Sequence, residues 1–283
     1  MTLRGFDASS NNLGVPDATI SADFIVEKAT EGTGYVNPDC NPSYQEAKAA
    51  GKLVGVYHYG HPENDPIAEA EFFVNNIKGY IGEAVLALDY ETNTNVAWAK
   101  QWLDHVTNLT GVRPLIYMSL ATANGVDWSP IWNDYALWVA RYWDMAPDYN
   151  YDMSNAGPLP DVNWPQAYAM WQWTSTGRLD GYGGNLDLSV FYGDATAWRA
   201  FARPRVAAPA PVPTPTPVVT PNLTPVVVPT PEPTPAPVDP PTPVVTPEPT
   251  PAPITVIAST PKPDNWLVAF IKKVLQFLIG YKI

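Results

Sequence analysis

The stretch Val85-Leu-Ala-Leu-Asp-Tyr-Glu91 has the pattern of a strand with two different faces. Because side chains alternate across a strand, the acids Asp89 and Glu91 share one face with the small residues Val85 and Ala87. This face suits a crowded interior, whereas the larger apolar residues on the other face suit packing beneath a helix. In a parallel barrel, the two acids would point into the mouth at the carboxyl end, where barrel enzymes keep their active sites. The alternative is a strand that ends in a solvated acidic turn.

The spacing of the two acids indicates a class of chemistry. Same-face neighbours on a strand lie roughly 6.5–7 Å apart at the backbone. Carboxyl groups at such a spacing are close enough to act on one bond, and a pair of carboxyls is the usual arrangement for splitting a glycoside. A glycosidase needs one of the two protonated beside one that is ionised.

Composition limits the other possibilities. The chain has 283 residues, enough for one barrel and an appendage, and it contains 11 Trp and 15 Tyr. Its formal net charge of −12 argues against nucleic acid as a partner. The single cysteine, Cys40, excludes an internal disulfide framework. The first residues lack a cationic region followed by an apolar one, so we expect no secretory signal.

The order of patterns along residues 1–203 predicts the fold class. Helical patterns over 42–50, 65–77 and 96–109 separate the earlier strands, and the later strands mostly lack such helices. Alternation of this kind predicts parallel βα units. We therefore expect an α/β fold, a TIM-like (β/α) barrel with helices missing in its second half. Its eight predicted strands cover residues 3–8, 24–29, 53–59, 85–91, 115–118, 136–142, 168–173 and 185–191.

Two further segments follow the predicted barrel. Residues 204–263 contain 22 prolines, and Thr-Pro-Glu-Pro-Thr-Pro-Ala-Pro occurs at 230–237 and again at 246–253. This composition predicts an extended polyproline-II linker, which could reach roughly 190 Å at full extension. Residues 264–283 have the spacing of a cationic amphipathic helix, too short and too interrupted by lysines for a membrane span. Such a helix would bind a membrane or envelope surface, mediate self-association, or dock on the catalytic domain.

Several ordered motifs in residues 3–201 resemble those of the family 25 glycoside hydrolases, which are Chalaropsis-type lysozymes common among phage endolysins. Each motif alone is weak, but the set occurs in the expected order at predicted strand ends. The motifs are Gly5-Phe-Asp-Ala-Ser9, Lys28-Ala-Thr-Glu-Gly32, Gly55-Val-Tyr-His-Tyr59, Leu88-Asp-Tyr-Glu91, and Trp171-Gln-Trp173 followed by Gly184-Asn-Leu-Asp-Leu188.

The resemblance implies a lysozyme that cleaves the β-1,4 bond between N-acetylmuramic acid and N-acetylglucosamine in peptidoglycan. Carried over by motif, Glu91 corresponds to the general acid, and Asp89 to the carboxylate that orients or stabilises the developing positive ring. Asp7 and Asp187 correspond to two further acids that line the same cleft. The nucleophile in this family is often argued to be the N-acetyl group of the substrate, and the alternative of a protein carboxylate stays open. No metal or cofactor is implied.

Aromatic residues at predicted strand ends are candidates for stacking on sugar rings, although each is individually as compatible with core packing. We expect two or three of this set to line the groove, and we expect His58 to point away from it. The set is Tyr57, Tyr59, Tyr117, Tyr142 and Trp173.

The whole sequence thus predicts a phage endolysin that waits in the host cytoplasm until a holin releases it to the bacterial cell wall. Its partners would be peptidoglycan and, through residues 264–283, a membrane, an envelope component or a second copy of the chain. The competing hypothesis is a catalytically silent peptidoglycan-binding module with a membrane-active C-terminal helix.

Overall fold

A computed structural model describes residues 2–91, 94–165 and 167–205 of the chain. These residues include the predicted catalytic domain, 1–203, apart from residues 1, 92, 93 and 166. The predicted helix at 264–283 and nearly all of the predicted linker at 204–263 lie outside the described residues.

A closed barrel of eight strands forms the centre of the described chain, as the sequence predicts. The barrel order is β1-β2-β4-β5-β6-β7-β9-β10, and β10 pairs with β1 to close it. The short strands β3 and β8 pair with the ends of β2 and β9. The strands are β1 (Leu3–Ala8), β2 (Phe24–Glu31), β3 (Tyr35–Val36), β4 (Leu53–Tyr59), β5 (Val85–Asp89), β6 (Leu115–Ser119), β7 (Leu137–Ala140), β8 (Asp148–Tyr149), β9 (Met170–Arg178) and β10 (Leu186–Phe191).

The helices are concentrated in the first half, which confirms that part of the prediction. Asp65 caps α2 by accepting hydrogen bonds from two backbone N–H groups of its first turn, and a left-handed Gly111 ends α3. No helix in the described part of the chain is long and apolar enough to cross a membrane. The helices are α1 (Cys40–Ala49), α2 (Pro66–Asn76), α3 (Val96–Thr110), α4 (Leu120–Gly125) and α5 (Ala195–Ala202).

The last barrel strand differs from the expectation of parallel strands throughout. Strand β10 is antiparallel to both of its neighbours, β9 and β1. The connection between β9 and β10 covers only residues 179–185, which is too short for the crossover that a parallel pair requires. The start of β10 therefore lies at the same end of the barrel as the carboxyl ends of the other strands.

The two faces of β5 behave as its sequence predicts. Val85 and Ala87 belong to the apolar cluster inside the barrel, whereas Leu86 and Leu88 pack in the layer between the barrel and its helices. The interior is crowded enough that a Cβ atom at Gly5 would lie 2.2 Å from the carbonyl oxygen of Phe24. Small residues at such positions allow the strands to close into a barrel of this size.

Helix α5 closes the amino-terminal end of the barrel. The Trp198 ring is fully buried, with its centroid 4.5 Å from that of Phe24 and 5.2 Å from that of Phe191. Its indole N–H donates to the backbone oxygen of Val54 over 3.2 Å. Because this plug is apolar and aromatic, polar side chains of the interior are left to the opposite, carboxyl end.

The plug predicts a large effect of one substitution on stability. Trp198→Ala should lower the free energy of unfolding by about 3–5 kcal/mol, because it leaves a cavity among buried rings. Equilibrium urea unfolding followed by circular dichroism would measure the change. The neighbouring exposed residue provides the control, since Arg199→Ala should change the same quantity by less than about 0.5 kcal/mol. Equal effects of the two substitutions would contradict the assignment of Trp198 as a structural plug.

Candidate active site

The structure brings the four acids named from the sequence together at the carboxyl end of the barrel. Asp7 lies on β1 and Asp89 ends β5, while Glu91 follows β5 by two residues. Asp187 lies near the start of the antiparallel β10, where it pairs directly with Asp7 across the two strands. All four line one cavity of about 240 Å³. The cavity is lined by Asp7, Tyr57, Asp89, Glu91, Tyr117, Trp138, Tyr142, Gln172, Ser175 and Asp187.

Burial and mutual repulsion shift all four carboxyl groups in the same direction. Burial and the neighbouring Asp187 raise the pKa of Asp7 well above its usual range. Burial and the Glu91 carboxyl do the same to the pKa of Asp89. Burial, followed by the charge of Glu91, raises the pKa of Asp187 to about 7. Glu91 is the most exposed of the four, and partial desolvation still raises the pKa of its side chain.

Four carboxyls with raised pKa values cannot all be ionised together near neutral pH. The cavity therefore favours retention of a carboxyl proton, which acid-assisted cleavage of a glycoside requires. One oxygen of Asp89, Oδ1, is buried without a hydrogen-bond partner among the described residues, so it is available to a positively charged group in the cavity.

Lys28 on β2 provides a positive charge beside this cluster. Its ammonium forms an ion pair with Glu31 and lies 4.9 Å from the centroid of the Tyr59 ring. The charge of Lys28 opposes the burial effect by lowering the pKa values of Asp89 and Glu91. Lys28 belongs to a motif noted in the sequence, but its role as a charge partner was not predicted.

Gln172 on β9 is a second cavity residue that sequence reasoning missed. It is almost completely buried, and its Nε2 donates to Oδ2 of Asp7 over 2.7 Å. The hydroxyl groups of Tyr117 and Tyr142 both donate to its Oε1. A signal was present in the sequence, since Gln172 is a polar residue on the same strand face as the inward-pointing Met170.

Three of the five predicted stacking residues line the cavity, namely Tyr57, Tyr117 and Tyr142. Tyr59 lies at the rim, next to Lys28 and with its ring centroid 5.5 Å from that of His61. Trp173 does not reach the cavity, so the prediction that it could stack on a sugar ring is wrong. Because it alternates with Gln172 along β9, it points outward into the layer beneath the helices, where it is 1% exposed.

His58 points away from the cavity, as expected from the positions of its neighbours. Its Nε2 lies 2.8 Å from Oε2 of Glu69 and its Nδ1 lies 2.8 Å from Oγ1 of Thr30. The ring is fully buried in the outer layer, and burial lowers its pKa. His58 therefore joins β4 to β2 and α2 and has no contact with the four acids.

Comparisons with known proteins agree with this geometry. The sequence profile of the family described as Glycosyl hydrolases family 25 matches residues 11–182. An uncharacterised protein of Escherichia coli strain K12, YegX, is 30% identical over 191 residues, which are 65% of this chain and 65% of that protein. The match thus spans slightly less than two thirds of that relative.

Two other similar proteins have named activities. An N,O-diacetylmuramidase of a Chalaropsis species is 33% identical over 138 residues, covering 41% of this chain and 65% of that protein. The solved structure of a muramidase from Acremonium alcalophilum is 26% identical, with a TM-score of 0.58 over 71% of this chain and 98% of that one.

The raised pKa of Asp187 predicts how stability changes with pH. An ordinary aspartate loses its proton at about pH 3.9, but in the folded protein Asp187 retains its proton until about pH 7. Between these values the folded state binds more protons than the unfolded state, so the free energy of unfolding falls as pH rises. Asp187→Asn removes this titration. The free energy of unfolding of the variant, relative to that of the parent protein, should therefore increase from about pH 4 to about pH 7.

Urea unfolding of both proteins across this pH range would measure the difference. The exposed Asp161 supplies the control, since Asp161→Asn should follow the parent protein throughout. Curves for Asp187→Asn and the parent that stay parallel at all pH values would contradict the assignment of a destabilising charge to Asp187.

Proposed function

We propose that the chain, which belongs to glycosyl hydrolase family 25, hydrolyses the β-1,4 bond between N-acetylmuramic acid and N-acetylglucosamine in peptidoglycan. The observation that carries the proposal is the convergence of Asp7, Asp89, Glu91 and Asp187 on one cavity. The named activities of the similar muramidases support the choice of substrate.

Glu91 is the general acid in this proposal. It is the most exposed of the four carboxyls, so its side chain can reach the glycosidic oxygen at the cavity mouth. Its raised pKa favours the protonated form that must donate to the leaving oxygen. Asp89, deeper in the cavity and with a free oxygen, stabilises the positive charge that develops on the sugar ring.

The remaining cavity residues bind and orient the glycan. Repulsion of Asp7 and Asp187 with the other two carboxyls disfavours full ionisation of the cluster and so helps it to retain protons. The rings of Tyr57, Tyr117 and Tyr142 supply flat apolar surface on the cavity wall. Because acid catalysis requires a protonated carboxyl and burial raises the pKa of Glu91, activity should decline as pH rises and Glu91 loses its proton.

The biological role we propose is that of a phage endolysin, in which the catalytic barrel is followed by a linker and a segment that binds the cell envelope. The order of the three sequence segments supports it, because a cationic segment of 264–283 suits the anionic surface of a bacterium. In this role the protein is held in the host cytoplasm until a holin releases it to the wall.

The catalytic assignment predicts the behaviour of a conservative variant. Glu91→Gln should lower kcat for release of reducing ends from purified peptidoglycan by at least about 100-fold, because the amide cannot donate the proton that the leaving oxygen needs. Clearing of a cell-wall suspension should fall in parallel.

The matched control is Glu71→Gln on α2, where the carboxyl is exposed and does not line the cavity. It should retain the activity of the parent protein. If Glu91→Gln clears walls as fast as the parent protein, the enzymatic mechanism fails. If the parent protein and Glu91→Gln both bind walls but neither releases reducing ends, the chain is a silent binding module.

The segment order predicts a separation of catalysis from targeting. A protein truncated after residue 205 should hydrolyse purified soluble glycan at the rate of the full chain, since it retains every described cavity residue. It should act more slowly on whole cells, because it lacks the envelope-binding segment. Equal rates of the two proteins on whole cells would contradict a targeting role for residues 206–283.

A further inference from the structure

The orientation of the Gln172 amide is determined by its three partners. Amide oxygens accept hydrogen bonds through two lone pairs, and the hydroxyls of Tyr117 and Tyr142 occupy both. The amide nitrogen is then directed to Asp7, to which it donates over 2.7 Å. A flipped amide would turn its oxygen toward a carboxylate and its nitrogen toward two hydroxyl donors, which makes the observed orientation the favourable one.

The two tyrosines remain donors under all conditions in which the enzyme would work. Burial raises the pKa of Tyr117 well above its usual range, and burial also raises the pKa of Tyr142. Their hydroxyl protons are therefore retained, and with them the orientation of the amide. Gln172 itself is 2% exposed, so these contacts are largely shielded from bulk solvent.

Gln172 differs from the other groups that surround Asp7. Burial, Asp187 on β10, Asp89 at the end of β5 and Glu91 just after it all favour the neutral form of Asp7. The hydrogen bond from Gln172 is the contact that favours its ionised form, and it lowers the pKa of Asp7. The amide also fixes Oδ2 of Asp7, which holds the carboxyl in one rotamer.

We propose that Gln172 is a positioning residue that holds the Asp7 carboxyl in one orientation as a hydrogen-bond acceptor and thereby helps to determine which of the four carboxyls carries the proton used in glycan cleavage. The inference rests on the proposed function for its effect on turnover. The geometry on which it depends does not involve the substrate. Tyr117 and Tyr142 thus act through Gln172 as well as through their rings.

The test uses the full chain with three variants and one control. Gln172→Glu keeps the shape of the side chain and introduces a carboxyl, Gln172→Leu removes the donor, and Tyr142→Phe removes one of the two hydroxyls that orient the amide. Gln101→Glu introduces the same carboxyl at an exposed position of α3. The measurement is kcat and KM for reducing-end release from soluble peptidoglycan strands as a function of pH.

The two substitutions of Gln172 should differ in their pH profiles. In Gln172→Glu the introduced carboxyl, when protonated, still donates to Asp7, so activity should persist at acidic pH. As pH rises, the negative charge of the introduced carboxylate disfavours ionisation of the neighbouring carboxyls, so the decline of kcat should move to higher pH. Gln172→Leu should lower kcat at all pH values by about tenfold to a hundredfold with little change in KM. Gln101→Glu should keep the parent profile.

A second measurement separates this inference from the proposed function. Carbon-13 NMR of the Asp7 carboxyl in the full chain reports its titration without any substrate. Gln172→Leu and, to a smaller extent, Tyr142→Phe should raise the pKa of Asp7, because the donor is lost or its orientation is loosened.

If the parent protein releases no reducing ends, the proposed function fails, and the NMR titration alone decides the role of Gln172. Should Gln172→Glu give a pH profile that superimposes on that of the parent, or should Asp7 titrate unchanged in both other variants, the inference is overturned. The Tyr142→Phe variant keeps its ring and preserves the test if either substitution of Gln172 prevents folding.

Discussion

The confinement of four carboxyl groups in one small cavity is the constraint on which the rest of this structure depends. Like charges repel strongly where solvent is largely excluded, so side-chain contacts among these groups cannot hold the site together. Asp7 and Asp187 are kept adjacent by the backbone hydrogen bonds between β1 and β10. That same pairing closes the barrel, so closure of the sheet and assembly of the site are one event.

Packed aromatic rings at the amino-terminal end of the barrel offset the destabilising repulsion among the acids at the carboxyl end. Phe24, Phe191 and Trp198 fill the amino-terminal end with packed rings, while the carboxyl end collects the acids and their polar partners. Burial of large aromatic surface is among the strongest stabilising contributions available to a fold of this size. The interior therefore changes along its axis from an apolar plug that stabilises the fold to a charged cavity that strains it, a division common in enzymes.

Much of the site could be predicted because it follows from alternation along single strands. The inward positions of the small residues and of Asp89 follow from alternation along β5. The convergence of Glu91 and the other acids requires only that the strand ends meet at one edge of the barrel. The direction of β10 did not follow, since its apolar pattern is the same for either direction. In the motif Trp171-Gln-Trp173 we assigned the sugar contact to an aromatic residue, Trp173. The polar residue between the two tryptophans, Gln172, is the one that faces inward. Its tyrosine partners lie 55 and 30 residues away, beyond the reach of any local pattern.

The antiparallel direction of β10 also determines where the chain leaves the barrel. Because β10 runs from the cavity toward the plug, the chain passes through α5 beneath the barrel, and the backbone N–H of Arg205 bonds to the oxygen of Gly111 between α3 and β6. The described chain thus ends at Arg205, on the side of the barrel opposite the cavity. Arg205 and the cavity opening therefore occupy opposite ends of the barrel, so the entrance for a polymer is separate from the point where the described chain ends.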